Sequence, residues 1–188
     1  MVRWEPDSRG RLAQAAMALY GEQGFERTTV AEIAERAGLT ERTFFRHFTD
    51  KREVLFWGAQ ALQELLVKTV IGAPASVTPL EAATLALEAA GDLFGQRREF
   101  SVQRQHIIDA STELQERELI KLATLAEALA GALRERGVKD PTAGLTGEVA
   151  IAIFKISFDR WVSEPDPGEM NTFVRESLEQ LRGITAAQ

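Results

Sequence analysis

Apolar residues recur at Val30, Ile33, Ala34 and Ala37, the i, i+3, i+4, i+7 spacing of one helical face. Thr29 precedes them as an N-cap, and Glu32 three residues on completes a capping box. Gly38 ends this short helix, because glycine takes the left-handed C-terminal conformation without a Cβ clash. Leu39 tucks inward at the turn, and Thr40 caps a second short helix. Phe44 and Phe48, one turn apart, face the core and leave Glu41, Arg42, Thr43, Phe45, Arg46 and His47 facing out or flanking. An apolar back and a polar, basic front held across a glycine turn make a helix-turn-helix pattern.

The same periodicity extends both ways. Leu12, Ala15, Ala16, Leu19 and Tyr20 mark a first helix, capped by Ser8 and ended by Gly21 and Gly24, with Phe25 plugging a three-helix core. Residues 1–7 read as a loose arm in which Arg3 is a terminal cation. Asp50 and Glu53 form a second capping box. From there one unbroken helix is expected from Lys51 to about Ile71, its stripe being Leu55, Gly58, Ala59, Leu62 and Leu66.

After a Gly72–Ser76 loop, Thr78 and Pro79 start a helix to Phe94, Pro79 standing at N1. Further helices are expected at about 97–109, 113–136, 142–162 and 169–182. No segment alternates with period two, so the expected fold is all-α, with about nine helices. The eighth helix is apolar on two sides: Ala150, Ile151, Phe154, Phe158 and Trp161 on one, and Leu145, Val149, Ala152, Ile153 and Ile156 on the other. One side then faces the chain's own core and the other a partner subunit; the alternative is a monomer with a central eighth helix. Phe173, Val174, Leu178 and Leu181 on the ninth helix offer a second contact stripe.

The front of the helix-turn-helix suits DNA. Arginine forks onto guanine O6 and N7, glutamate accepts from cytosine N4, and Thr43 and His47 are placed to donate to phosphate. The net charge of −6 looks unfavourable for such a role, but residues 1–57 balance nine basic against nine acidic side chains, so the remainder carries the whole excess. A neutral reading head implies modest nonspecific affinity and reliance on a few well-placed cations. The chain has no cysteine, which excludes disulfides and thiolate metal sites. Its two histidines, His47 and His106, are far apart, so no metal and no cofactor is expected. No nucleophile, base and phosphate-loop pattern points to an enzyme. No run approaching a membrane span and no signal-peptide pattern is read, which leaves a cytoplasmic location as the expectation.

Phe25, Thr28 and Thr29, Ala31 to Gly38, Thr40, Thr43 to Phe48, and Lys51 resemble, in order and spacing, the TetR family of bacterial transcriptional regulators over about residues 8–57. The resemblance implies a DNA-binding domain at 1–53 and a ligand-binding and dimerisation domain at 54–188. It adds Thr28, Thr29, Thr40 and Lys51 to the DNA-contacting set, with Lys51 beside a phosphate. It implies a homodimer paired through the last two helices, an inverted-repeat operator in double-stranded DNA, repression as the family default, and a small-molecule effector. The expected effector region holds Trp57, Phe94, Phe100, Gln103, Arg104, His106, Phe154, Phe158 and Trp161, with His106 and Asp109 as a pair. The run Arg104, Glu113, Leu114, Arg117 and Lys121 resembles an actinobacterial subgroup that includes mycofactocin-system regulators, some responsive to acyl-CoA; that ligand class would require Arg97, Arg98 and Arg104 to converge. One position departs from the family: Phe45 stands where a tyrosine hydroxyl often binds phosphate, so contact there must be apolar, to a sugar or a thymine methyl. The competing reading is a helical ligand-binding or interaction module that does not read DNA.

Overall fold

Nine α-helices and one short 3-10 helix, with no strand, make up residues 7–186, the part described in this computed structural model. The α-helices are α1 Ser8–Gln23, α2 Val30–Arg36, α3 Glu41–His47, α4 Ala59–Gly72, α5 Pro79–Gly95, α6 Arg98–Asp109, α7 Thr112–Glu135, α8 Thr142–Ser163 and α9 Met170–Ala186. The all-α expectation is met. Arg3 lies outside the described residues.

The chain divides into two compact units, and the division is not a single cut. The first holds residues up to Gly58 together with Gln103–Glu118; the second holds Ala59–Val102 and Leu119–Gln188. The sequence reading put everything after residue 53 in one domain. Residues 103–118 instead join the head because Ile107, Ile108 and Leu114 are buried in the same core as Leu12, Ala16, Leu19, Phe25, Ile33, Phe44 and Phe48. That turn is also fixed by polar contacts. Arg104 Nε donates to Leu55 O at 2.8 Å, its guanidinium pairs with Glu118 at 3.0 Å, and it lies over the Phe56 ring at 5.0 Å. Arg117 Nε donates to Glu53 at 2.7 Å, and Ser111 Oγ to Glu26 at 3.1 Å.

Local capping follows the sequence at several helices. Thr29 with Glu32 and Thr78 with Glu81 form complete capping boxes, and Thr40 accepts from Thr43 N. At α1 the cap is Asp7, in the left-handed region at φ 69°, rather than Ser8, and the helix runs through Gly21 to end at Gly24. Asp50 accepts from the amides of Arg52 and Glu53, and the Glu53 side chain accepts from Arg117. The expected long fourth helix is broken: a 3-10 helix at Arg52–Phe56 is followed by a turn at Trp57 and Gly58 before α4 begins. Val54, Leu55 and Phe56 are buried consecutively, which the tighter 3-10 winding accommodates. Arg52–Gly72 is, by length and composition alone, apolar enough to cross a membrane, unlike the expectation of no such run. Yet Val54–Phe56 lie in the first core, and Leu62, Leu66 and Val70 lie in the second.

The second unit is built on small residues. Ala82, Ala83, Ala86 and Ala90 give α5 a flat buried face, and Leu125, Leu129 and Leu133 of α7 and Phe154, Phe158 and Trp161 of α8 fill the remaining volume. Where α7 and α8 cross, a Cβ on Gly147 would lie 2.4 Å from Ala126 O; where α5 meets α9, one on Gly91 would lie 2.0 Å from Asn171 Oδ1. Arg136 at the end of α7 donates to the carbonyls of Val70, Ala73 and Pro74, satisfying the open end of α4.

Lys51 acts as a staple in the first unit. Its ammonium donates to the carbonyls of Phe25, Glu26 and Thr28 at 2.8, 3.2 and 2.9 Å and lies 4.3 Å from the Phe25 ring centroid. Tyr20 Oη donates to Lys51 O at 2.7 Å. All three ammonium protons are thereby engaged, so the side chain is not held out toward a phosphate.

Two stability measurements test this description. Gly147→Ala should destabilise the protein by about 1–3 kcal/mol through backbone overpacking, read from urea denaturation. Gly131→Ala, on α7 with nothing within 4 Å of an added Cβ, should not. Lys51→Ala should cost about 1–3 kcal/mol in the same assay by removing three hydrogen bonds to carbonyls and the contact with the Phe25 ring.

Candidate nucleic-acid interface

α3 has only seven residues, so its position is imposed by its neighbours. Phe44 and Phe48 are buried, with ring centroids 5.5 Å apart. Arg11 of α1 donates to Ala37 O at the glycine turn, fixing the angle between α2 and α3 from outside. Gly38 takes φ 65° there, as the turn requires.

The opposite side of α3 carries Glu41, Arg42, Phe45 and Arg46, all exposed. Among the described residues neither Arg42 nor Arg46 makes a hydrogen bond or ion pair. Other arginines of this unit are engaged: Arg27 with Gln23 O, Arg36 with Glu22, Arg52 with Asp50 and Glu113, Arg104 with Glu118, and Arg117 with Glu53. Arg9 is stacked between the rings of Phe48 and Trp57, 5.4 Å from each. The two free guanidinium groups are therefore confined to one exposed helical face.

The remaining sequence-derived DNA residues divide by what they already do. Thr28 is buried and its hydroxyl donates to Gly24 O at 2.8 Å, so it is structural. Thr29 and Thr40 are exposed caps; the Thr29 hydroxyl donates to Glu32, and those of Thr40 and Thr43 pair at 3.1 Å. The backbone amide of Thr29 is the main cause of a lowered Glu32 pKa. His47 is half-buried and its Nε2 is buried with no partner. Burial first, then the charges of Arg46 and Arg9, push its pKa below the ordinary imidazole value, while Asp7 opposes them. The ring thus ends α3 with its Nε2 buried.

The expected effector residues do not share one unit. Phe94, Phe154, Phe158 and Trp161 form a chain of rings in the second unit, with neighbouring centroids 5.4–6.0 Å apart. Arg98 lies over Trp161 at 5.7 Å and donates to the carbonyls of Trp161 and Glu164. Its Nε is buried without a partner. Phe100, in the same unit, is exposed. Trp57, Gln103, Arg104 and His106 belong to the first unit, where Gln103 donates to Met17 O at 3.2 Å and His106 is exposed. Asp109 accepts from Gln105 rather than His106.

The expected dimer residues also separate. Ile153, Phe173, Val174 and Leu178 are buried in the second unit's own core, so they have little surface to offer a partner. The α8 and α9 stripes face each other: Ser157 Oγ donates to Phe173 O at 3.1 Å and lies 2.9 Å from Ser177 Oγ. Leu145, Ala152 and Ile156 are exposed, while Val149 and Leu181 are half-buried. Leu145 and Ile156, which are 66% and 52% exposed, mark the apolar face of α8 that this chain leaves uncovered.

Residues 12–56 match the family described as bacterial regulatory proteins, tetR family. The helix-turn-helix transcriptional regulator TcmR of Streptomyces glaucescens is 39% identical over 82 residues, covering 44% of this chain and 36% of that protein. The match thus spans about a third of that relative's length. Among solved structures, Thermus thermophilus FadR, a TetR-family repressor in complex with lauroyl-CoA, superposes with TM-score 0.57 at 22% identity over 92% of both chains. The SmeT–triclosan complex gives TM-score 0.66 at 20% identity over 92% of this chain and 90% of that one. Those two likenesses concern the fold, whereas the match over residues 12–56 falls on the helix-turn-helix itself. Residues 12–56 therefore carry the helix-turn-helix of the bacterial tetR family of regulatory proteins.

Proposed function

We propose that this protein is a DNA-binding transcriptional repressor that reads an inverted-repeat operator as a homodimer and is released by a small, largely apolar ligand. The observation that carries the reading is the pair of exposed, unpartnered guanidinium groups, Arg42 and Arg46, on a helix whose other face is locked into a core. Free arginines on a major-groove-sized helix suit bidentate contact with guanine. TcmR carries the name of a transcriptional regulator, which agrees with this.

Dimerisation is supported by the stripe of exposed Leu145, Ala152 and Ile156 with half-buried Val149, spaced i, i+4, i+7, i+11 on α8. Two-fold pairing would present two α3 helices to successive major grooves, about 34–36 Å apart. The ligand reading rests on the chain of rings from Phe94 to Trp161 beside Arg98, an apolar cluster with one cation at its edge. FadR with lauroyl-CoA, whose acyl chain is apolar, and SmeT with triclosan give ligands with a large apolar part a precedent on this fold. Release would be a population shift: a ligand that prefers one head spacing draws the dimer away from the operator. Linkage then requires DNA to weaken ligand binding by the same factor.

Selection of bound duplexes from a random pool at low salt should return an inverted repeat; no enrichment would leave a helical module of another purpose. Arg42→Ala with Arg46→Ala should reduce affinity for the selected duplex at least a hundredfold, with an unchanged circular-dichroism spectrum. Ile156→Glu should convert the dimer to monomer in analytical ultracentrifugation without loss of helicity, because that side chain contributes little to the chain's own core.

A further inference from the structure

Three phenylalanines stand within one turn and a half of α3, and they are not equivalent. Phe44 and Phe48 are 0% and 4% exposed and complete the head core; Phe45 is 56% exposed. Its ring meets Phe44 edge-on, centroids 5.4 Å apart at 83°, so it is a propped apolar knob. On a helix its surface neighbours are the residues three and four positions back, Arg42 and Glu41, both exposed and both suited to base edges. An exposed phenyl ring flanked by polar readers has no hydrogen bond to give. The one apolar group that a base pair displays in the major groove is the C5-methyl of thymine.

We infer that Phe45 is a specificity-determining residue that selects a thymine by its C5-methyl, beside the base read by Arg42. This deepens the DNA-reading proposal and rests on it. The ring's place in line with Arg42 and Glu41, instead of at the edge of the face, favours a base over the sugar-phosphate rim. The methyl accounts for most of the apolar difference between thymine and cytosine in the groove. Burying one such group corresponds to roughly fourfold in affinity per half-site and roughly fifteenfold for a symmetric site.

The test uses the full-length protein and the operator recovered by selection. Each thymine is replaced in turn, symmetrically in both half-sites, by deoxyuridine, which removes the methyl and keeps base pairing and O4. One position should lose roughly fifteenfold in affinity with the unaltered protein. The Phe45→Ala variant, checked for fold by circular dichroism, should bind the thymine and uracil duplexes equally, and Phe45→Leu should keep part of the discrimination. The inference is overturned if the protein binds its operator but no uracil substitution matters, or if Phe45→Ala discriminates as well as the parent; in both cases DNA reading itself stands. Failure of selection to enrich any duplex overturns the DNA reading and this inference together.

Discussion

A seven-residue helix does not persist in water on its own, because nucleation is unfavourable and too few residues follow to repay it. α3 therefore exists only as the outer layer of something larger. Phe44 and Phe48 root it, Arg11 braces the turn before it, and Lys51 ties the segment after it to the carbonyls of Phe25, Glu26 and Thr28. With its back committed in this way, its front is free to be polar without compromising the fold. Arg42 and Arg46 stay unpaired at no cost in buried charge, because both are exposed to water in the free protein.

The second unit solves a different problem with different residues. Its helices carry alanine and glycine where they cross, so backbones approach closely and a thin layer of leucines and aromatic rings completes the core. Asn171 shows how tight this is: its Nδ2 donates to Asp92 at 2.7 Å, and its Oδ1 presses on the bare Cα of Gly91. The buried hydroxyl pair of Ser157 and Ser177 registers α8 against α9 within the chain, while Leu145 and Ile156 of α8 stay exposed.

What was legible in the sequence was local. The capping box at Thr29, the helix start at Thr78 and Pro79, the left-handed turn at Gly38 and the inward pair Phe44 and Phe48 depend on residues a few positions apart, and each is found where spacing put it. What was not legible depends on partners far along the chain. Nothing near Lys51 announces that the carbonyls of residues 25–28 will claim its ammonium, and nothing near Arg104 points to Leu55 or Glu118. Periodicity found two apolar sides on α8 but could not tell which neighbour covers each, so Ile153, Phe173, Val174 and Leu178 were offered to a partner although the chain buries them itself. The fourth helix was read as continuous because a stripe of leucines does not distinguish a 3-10 turn from an α-turn.

The discontinuity of the first unit bears on how such proteins are taken apart and recombined. Ile107, Ile108 and Leu114 fill its interior from a hairpin that lies some fifty residues downstream, and Arg104, Ser111 and Arg117 bolt that hairpin in place. A hybrid made by splicing this head at Gly58 onto a foreign body would inherit an unfilled hole and several stranded charges. Transplanting its operator preference means carrying two separate stretches of chain, and the grafted hairpin must match the head it came with.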